Sequence, residues 1–214
     1  MPTDSPALSG RRAEAARNDG RILDAARGVF LGNPSAPIAD VAKAAGVGIS
    51  ALYRRYASKE ALVRELARDG LKRYIADLRA ALDDEDDAWD VYARCMHRIV
   101  DGESQALAQR VAGTFRPTAE LTRLAGEASE LAHELHTRAQ RAGALRADVS
   151  PADIVLVLEM VSFVDLPGPE RGREVRHRYL GLLLQALQAP AASDLPGQPA
   201  SEAALTARWR SKAS

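Results

Sequence analysis

The sequence predicts an all-α fold of about nine helices, divided into a small N-terminal unit and a larger C-terminal one. Three observations carry that prediction. Apolar residues recur at spacings of three and four from Ile22 to Leu187, the period of helices that bury one face. Start and stop signals separate these stripes: Ser150-Pro151-Ala152-Asp153 opens one, while Gly46, Gly143 and the run Pro167-Gly168-Pro169 close others. No stretch reads as a strand, and no internal repeat is present.

Composition bounds the answer further. A chain of 214 residues that is 46% apolar and 27% charged buries a real core and fits one or two small domains. The most apolar run, Ile154 to Val164, is too short to span a bilayer and carries Glu159. With no apolar signal-peptide core either, the cytoplasm is the expected compartment and no membrane partner is expected. Cys95 is the single cysteine, which rules out an internal disulfide or a cysteine-rich zinc site. Net charge is zero, unlike a chain that coats nucleic acid indiscriminately. The distribution is uneven: from Arg11 to Glu60 nine Lys or Arg stand against five acids, an excess of four.

Taken in order, residues 1–16 read as a flexible arm, either a disordered tail or one that touches nucleic acid. Residues 17–62 form a headpiece. Its first helix carries Ile22, Ala25, Ala26, Val29 and Phe30 and ends near Gly32-Asn33-Pro34. The second starts at Pro37, which lacks an N–H where none is needed, and carries Ile38, Val41, Ala42 and Ala45. Gly46 then suits a left-handed closing residue, with Val47 as its apolar plug. The third helix repeats Ile49, Leu52, Tyr53 and Tyr56, and Ala42 is small where the two cross. This is a helix-turn-helix, whose second helix is held out for the major groove of DNA. Ser58 caps a linking helix over about 58–82.

Residues 83–188 form the larger domain. The five acids Asp83 to Asp87 mark a solvated boundary at the start of a helix that carries Trp89, Tyr92, Ala93, Met96, Ile99 and Val100. A short helix covers about 104–112 and a long one about 118–142. The eighth, Ile154 to Phe163, is apolar almost all round and therefore buried on more than one face. The ninth, about 170–188, puts Tyr179, Leu180, Leu183, Leu184 and Leu187 on one side. Residues 189–214, rich in Pro, Ala and Ser up to Ala200, read as a mobile tail in which Trp209 has no assigned role.

The string Asp40-Val41-Ala42, Ala45-Gly46-Val47, Leu52-Tyr53, Tyr56 and Ser58-Lys59-Glu60-Ala61-Leu62 resembles the tetracycline-repressor (TetR) family of bacterial transcriptional regulators. By motif the resemblance covers roughly residues 17–80, and beyond that it is a likeness of helix count and length. It implies a helix-turn-helix DNA-binding domain followed by a helical ligand-binding and dimerisation domain. It also implies a ligand-responsive repressor that binds a palindromic operator in double-stranded DNA as a homodimer and is released by a small-molecule effector.

By the resemblance, Ile49, Ser50, Ala51 and Arg54 fall where family members meet base edges, and Tyr53 and Lys59 where they meet phosphates. Arg54 or Arg55 suits the O6 and N7 of guanine, Ser50 either a donor or an acceptor, and Ala51 a thymine methyl. The alternative is that both arginines meet only phosphate, the favoured reading for Arg55. Two residues depart from the family pattern. Gly48 stands where Ser or Thr caps the recognition helix, and Ala51 where Thr is common.

In the larger domain Trp89, Tyr92, Met96, Phe115, Met160 and Phe163 are candidates for an effector pocket, or else ordinary core. Ile154, Leu158, Tyr179, Leu180, Leu183, Leu184 and Leu187 are candidates for a dimer interface, or for the monomer core. Glu159, a carboxylate in an apolar helix, needs a partner or solvent. His133 and His136 have a metal-gripping spacing without a third ligand, so no metal is expected, nor any other cofactor. Cys95 reads as a buried structural thiol. No Gly-rich phosphate loop, nucleophile elbow or metal cluster supports an enzyme. A regulator controlled by a protein partner, or by no effector, remains the other reading.

Overall fold

The computed structural model describes residues 6–111, 114–164, 166, 168–191, 193–201 and 203–205. Among these residues lie nine helices: α1 Pro6–Gly32, α2 Ile38–Ala45, α3 Ile49–Arg55, α4 Lys59–Leu82, α5 Ala88–Asp101, α6 Ser104–Val111, α7 Ala119–Arg141, α8 Pro151–Ser162 and α9 Pro169–Leu187. No strand occurs among them; Leu145 and Gln188 form an isolated antiparallel bridge. The chain divides after Leu66 into two units, so that α4 begins in the first and continues in the second.

The first unit closes over Ala26 and Phe30 of α1, Val41 and Ala42 of α2, Leu52 of α3, and Leu62 and Leu66 of α4, all buried. Helix α2 ends as its sequence requires. Gly46 takes φ 66°, and the Val47 amide donates to the Ala42 carbonyl at 3.0 Å, the closure that a left-handed glycine permits. Arg21 of α1 adds a bond from its guanidinium to the Ala45 carbonyl, 3.1 Å, which places a cation at the negative end of α2.

Helix α1 starts earlier than the sequence reading. It includes residues 6–16, which the sequence predicts to be part of a flexible arm. The reason is local: Pro6 suits a first helical turn, and Ala, Leu, Arg and Glu dominate Ala7 to Arg17, all strong helix formers.

The second unit packs α5, α7, α8 and α9 with the later turns of α4 around Leu78, Val91, Tyr92, Cys95, Leu145, Val161 and Leu180. Of the acidic run, Asp87 accepts bonds from the Trp89 and Asp90 amides and so caps α5. Arg138 of α7 donates to the Leu82 carbonyl at 2.8 Å and to the Asp84 carbonyl, closing α4. Helix α8 opens with a capping box: Ser150 Oγ accepts from the Asp153 amide at 3.2 Å, and Asp153 accepts from the Ser150 amide at 2.8 Å.

The tail meets the second unit at Ser193 and Leu195. The Arg146 guanidinium, buried after α7, forks onto Asp148 at 2.6 and 2.8 Å. It also donates to the Ala186 carbonyl at 3.2 Å and the Ser193 carbonyl at 2.6 Å. Asp148 accepts the Leu195 amide at 3.0 Å, and the Arg146 guanidinium holds its carboxyl well below the usual carboxylate range. The Pro-, Ala- and Ser-rich composition carries no sign of this anchor, because the fastening side chain lies more than forty positions earlier. Trp209 lies outside the described residues.

Candidate nucleic-acid interface

Helix α3 has only seven residues, too few for a helix to persist by itself in water. Its anchors are therefore tertiary. Leu52 is fully buried, and Tyr56, the residue that ends the helix, is buried as well. These two fix the inward side, and helical geometry turns Ile49, Ser50, Ala51, Tyr53 and Arg54 outward, where all five are exposed. The apolar repeat read from the sequence thus splits: Leu52 and Tyr56 belong to the core, Ile49 and Tyr53 to the surface. Gly48 precedes the helix with φ −67° and gives it no side-chain cap.

Two cations expected to meet DNA are engaged within the unit. Lys59 donates from Nζ to the Pro34 carbonyl at 2.8 Å and lies 5.1 Å from the centre of the Phe30 ring, so its charge is spent on the turn between α1 and α2. Arg55 forks onto Asp19 of α1: Nε meets Oδ1 at 2.7 Å, and a terminal nitrogen meets the other carboxylate oxygen. The pairing raises the Arg55 pKa. Arg54, next to it, is exposed. Sequence reasoning missed Asp19, which lies 36 positions from its partner.

The candidate pocket residues do not stand together. Tyr92 and Met96 are part of the packed core, with Trp89 against it and stacked on Tyr92 at 6.2 Å between ring centres. Phe115 is half-buried, whereas Met160 and Phe163 are 57% and 67% exposed. Helix α8 is apolar almost all round, and its sequence does not say which side is covered. A cleft of about 360 Å³ lies elsewhere, between residues 147–153 and 195–199.

The dimer candidates divide in the same way. Ile154, Leu158, Leu180, Leu184 and Leu187 are buried in the monomer, and Leu183 packs against the same core. Tyr179 is 51% exposed. Leu182, absent from the candidates, is 53% exposed. Tyr179 and Leu182 sit three apart on α9, as Met160 and Phe163 do at the end of α8, so each helix shows an apolar strip. The signal was present in the sequence as a second stripe on α9, displaced by one or two positions from the first.

His136 is buried and its Nε2 meets the Val149 carbonyl at 3.0 Å, while His133 is exposed. Among the described residues no group of three His, Cys, Asp or Glu is placed to hold a metal. Cys95 is fully buried, and burial pushes its thiol up to about 11, too high for a reactive thiolate at neutral pH. Glu159 is buried and engaged.

One cluster escaped the sequence. His97 of α5 and His177 of α9 meet edge to edge, with ring planes 4° apart and Nδ1 atoms 2.7 Å apart. His177 Nε2 lies 2.7 Å from Asp101. With Asp101 ionised, His177 donates Nε2–H to it and accepts Nδ1–H from His97. Burial is the main cause that lowers the His97 pKa, and the second imidazole adds to it.

Comparison with known proteins follows the same division of the chain. Residues 22–66 match the family of bacterial regulatory proteins called tetR, and residues 84–189 match the C-terminal domain of SbtR-like transcriptional regulators. The HTH-type transcriptional repressor LfrR of Mycolicibacterium smegmatis is 34% identical over 100 residues, 46% of this chain and 49% of LfrR. The match thus spans about half the length of that curated relative. The TetR regulator SCO0520 of Streptomyces coelicolor aligns with 81% of this chain and 99% of its own, at 26% identity and TM-score 0.58. A TetR regulatory protein of Mycobacterium vanbaalenii aligns with 83% of this chain and 99% of its own, at 27% and 0.59. The structure of LfrR from Mycobacterium smegmatis in complex with proflavine covers 84% of this chain and 99% of its own at 24% identity and TM-score 0.63, a likeness of fold.

Proposed function

The chain belongs to the TetR family of bacterial regulatory proteins, and on that premise we propose that it is a cytoplasmic, non-enzymatic transcriptional repressor. It binds a palindromic operator as a homodimer and is released by a small-molecule effector. The observation that carries this reading is the outward face of α3, where Ser50, Ala51, Tyr53 and Arg54 are exposed while Leu52 and Tyr56 hold the helix from behind.

In this reading each protomer lays α3 in the major groove, and the half-sites lie about 34 Å apart, one turn of duplex. Arg54 forks onto guanine, Ser50 bonds a base edge, and Ile49 and Ala51 give apolar contact to thymine methyl groups. Tyr53 donates its phenol to a phosphate, which positions the helix without reading sequence. The self-association face is built from Met160, Phe163, Tyr179 and Leu182, large apolar side chains exposed in the monomer, in place of the buried leucines beside them.

For the effector, the LfrR complex with proflavine supports a small molecule as the class. Binding shifts the dimer toward a conformation whose recognition helices no longer match successive grooves.

Selection of duplexes from a random DNA pool tests the reading. The protein is expected to enrich an inverted repeat. Arg54→Ala is expected to lose preference at one base pair, by about 1–3 kcal/mol, whereas Tyr53→Ala weakens binding to all sequences alike. Enrichment of no motif, with binding that only tracks salt, refutes it.

A further inference from the structure

The Arg55–Asp19 pair has a role that its exposed position alone does not suggest. The guanidinium is well exposed, and an ordinary surface ion pair contributes little to stability. Its placement is unusual all the same. Helix α3 is short, lacks a side-chain cap at Gly48 and buries Leu52 alone within its span. Leu52 and the adjoining Tyr56 choose which side of α3 faces inward, and a further tie narrows its rotation about its own axis. The fork from Arg55 Nε to Asp19 Oδ1, 2.7 Å, and from its terminal nitrogen to the second oxygen ties the last residue of α3 to α1. Two parallel bonds between planar groups fix an orientation, which a single bond or a point charge does not.

Charge argues the same way. Arg55 paired with Asp19 adds nothing net to the potential that attracts phosphate. If Arg55 swung to a phosphate, it would leave the Asp19 carboxylate, three-quarters covered, without this partner beside a polyanion.

We propose that Arg55 and Asp19 act as a positioning clamp that fixes the presentation of α3, so that Arg55 governs sequence preference without itself meeting DNA. The proposal rests on the DNA-binding reading above. Arg54 and Arg55, neighbours in sequence, thereby have separate duties: one reads, the other aims.

The test uses the operator selected by the full chain and a scrambled duplex of equal length, and reads the ratio of the two affinities. Phosphate contacts weaken or strengthen both duplexes together and leave that ratio unchanged; a clamp does not. Arg55→Lys keeps the charge and removes the fork, Asp19→Asn removes the acceptor charge, and Arg55→Gln removes both fork and charge. Each is expected to lower the ratio by roughly five- to tenfold, the scale of one charge-assisted bidentate contact. The double variant Asp19→Asn/Arg55→Gln is expected to fall no further than either single one. Thermal melts of all four are expected to stay close to the parent chain, as befits an exposed pair. A ratio unchanged in either Arg55→Lys or Asp19→Asn overturns the clamp. So does a salt slope that drops by about 0.9 in Arg55→Gln, the signature of a lost phosphate contact. Should the parent chain select no duplex at all, the DNA-binding reading falls and the clamp falls with it.

Discussion

Replacing Leu182 by Ala separates the surface that joins two protomers from the core that holds one together. Leu182 is 53% exposed, and Leu184, two positions on, is 4% exposed. The substitution removes three carbons, worth roughly 2.4 kcal/mol if they pass from water to full burial at ~0.8 kcal/mol each. Only about half of the side chain remains to be covered, which leaves ~1.2 kcal/mol per protomer. A twofold interface contains the residue twice, so the dimer is expected to lose ~2.4 kcal/mol, about a 50-fold weaker association. Sedimentation velocity over a wide concentration range reads this directly. Leu184→Ala is the control: it opens a cavity in the monomer, expected to cost about 2–5 kcal/mol of folding stability. A Leu182→Ala dimer as tight as the parent, or a parent chain that stays monomeric at micromolar concentration, refutes the assignment of this face.

Two further outcomes are expected. His97 and His136 both have pKa values lowered from 6.5, chiefly by burial, so the unfolded chain takes up protons before the folded one does. Their contribution to stability is complete above about pH 6.5 and is lost as pH falls from there through the lowered values. The urea midpoint should drop between pH 7.5 and 5.5, and less so in His136→Gln; an equal or higher midpoint at pH 5.5 contradicts this. Gly48→Ser should raise the melting temperature. Gly48 has φ −67° and open space where a Cβ would go, so the hydroxyl can cap α3 without strain. A gain of roughly 0.5–1 kcal/mol follows from the cap and from a less flexible unfolded chain, and a lower melting temperature would show that the turn needs glycine.

Much of the fold was legible because its signals are local. Ser150, Pro151 and Asp153 lie within four positions and form the capping box they suggest, and Gly46 adopts the left-handed conformation that its place after Ala45 requires. The exposed residues of α3 came from the family resemblance instead, because the apolar repeat runs Ile49 and Tyr53 together with Leu52 and Tyr56 and does not say which pair is inside. What stayed hidden depends on partners far along the chain. Asp19 takes up Arg55 from 36 positions away, Pro34 takes up Lys59 from 25, and His177 meets His97 across 80. Periodicity has a second blind spot. On α9 it shows that Leu180, Leu182 and Leu184 cannot all face one way, but which of them is inside depends on the helices packed around α9. The stripe chosen for association from sequence was therefore largely the buried one.

Arg146 has a mechanical consequence. Its guanidinium joins the end of α9 at Ala186, the stretch before α8 at Asp148 and the tail at Ser193, and its amide meets the Leu187 carbonyl. Helix α9 is pinned at that end, and nearer its start Arg176 meets Glu103 at 3.0 Å and His177 meets Asp101 at 2.7 Å. It cannot slide along its axis without dragging the three segments that Arg146 joins.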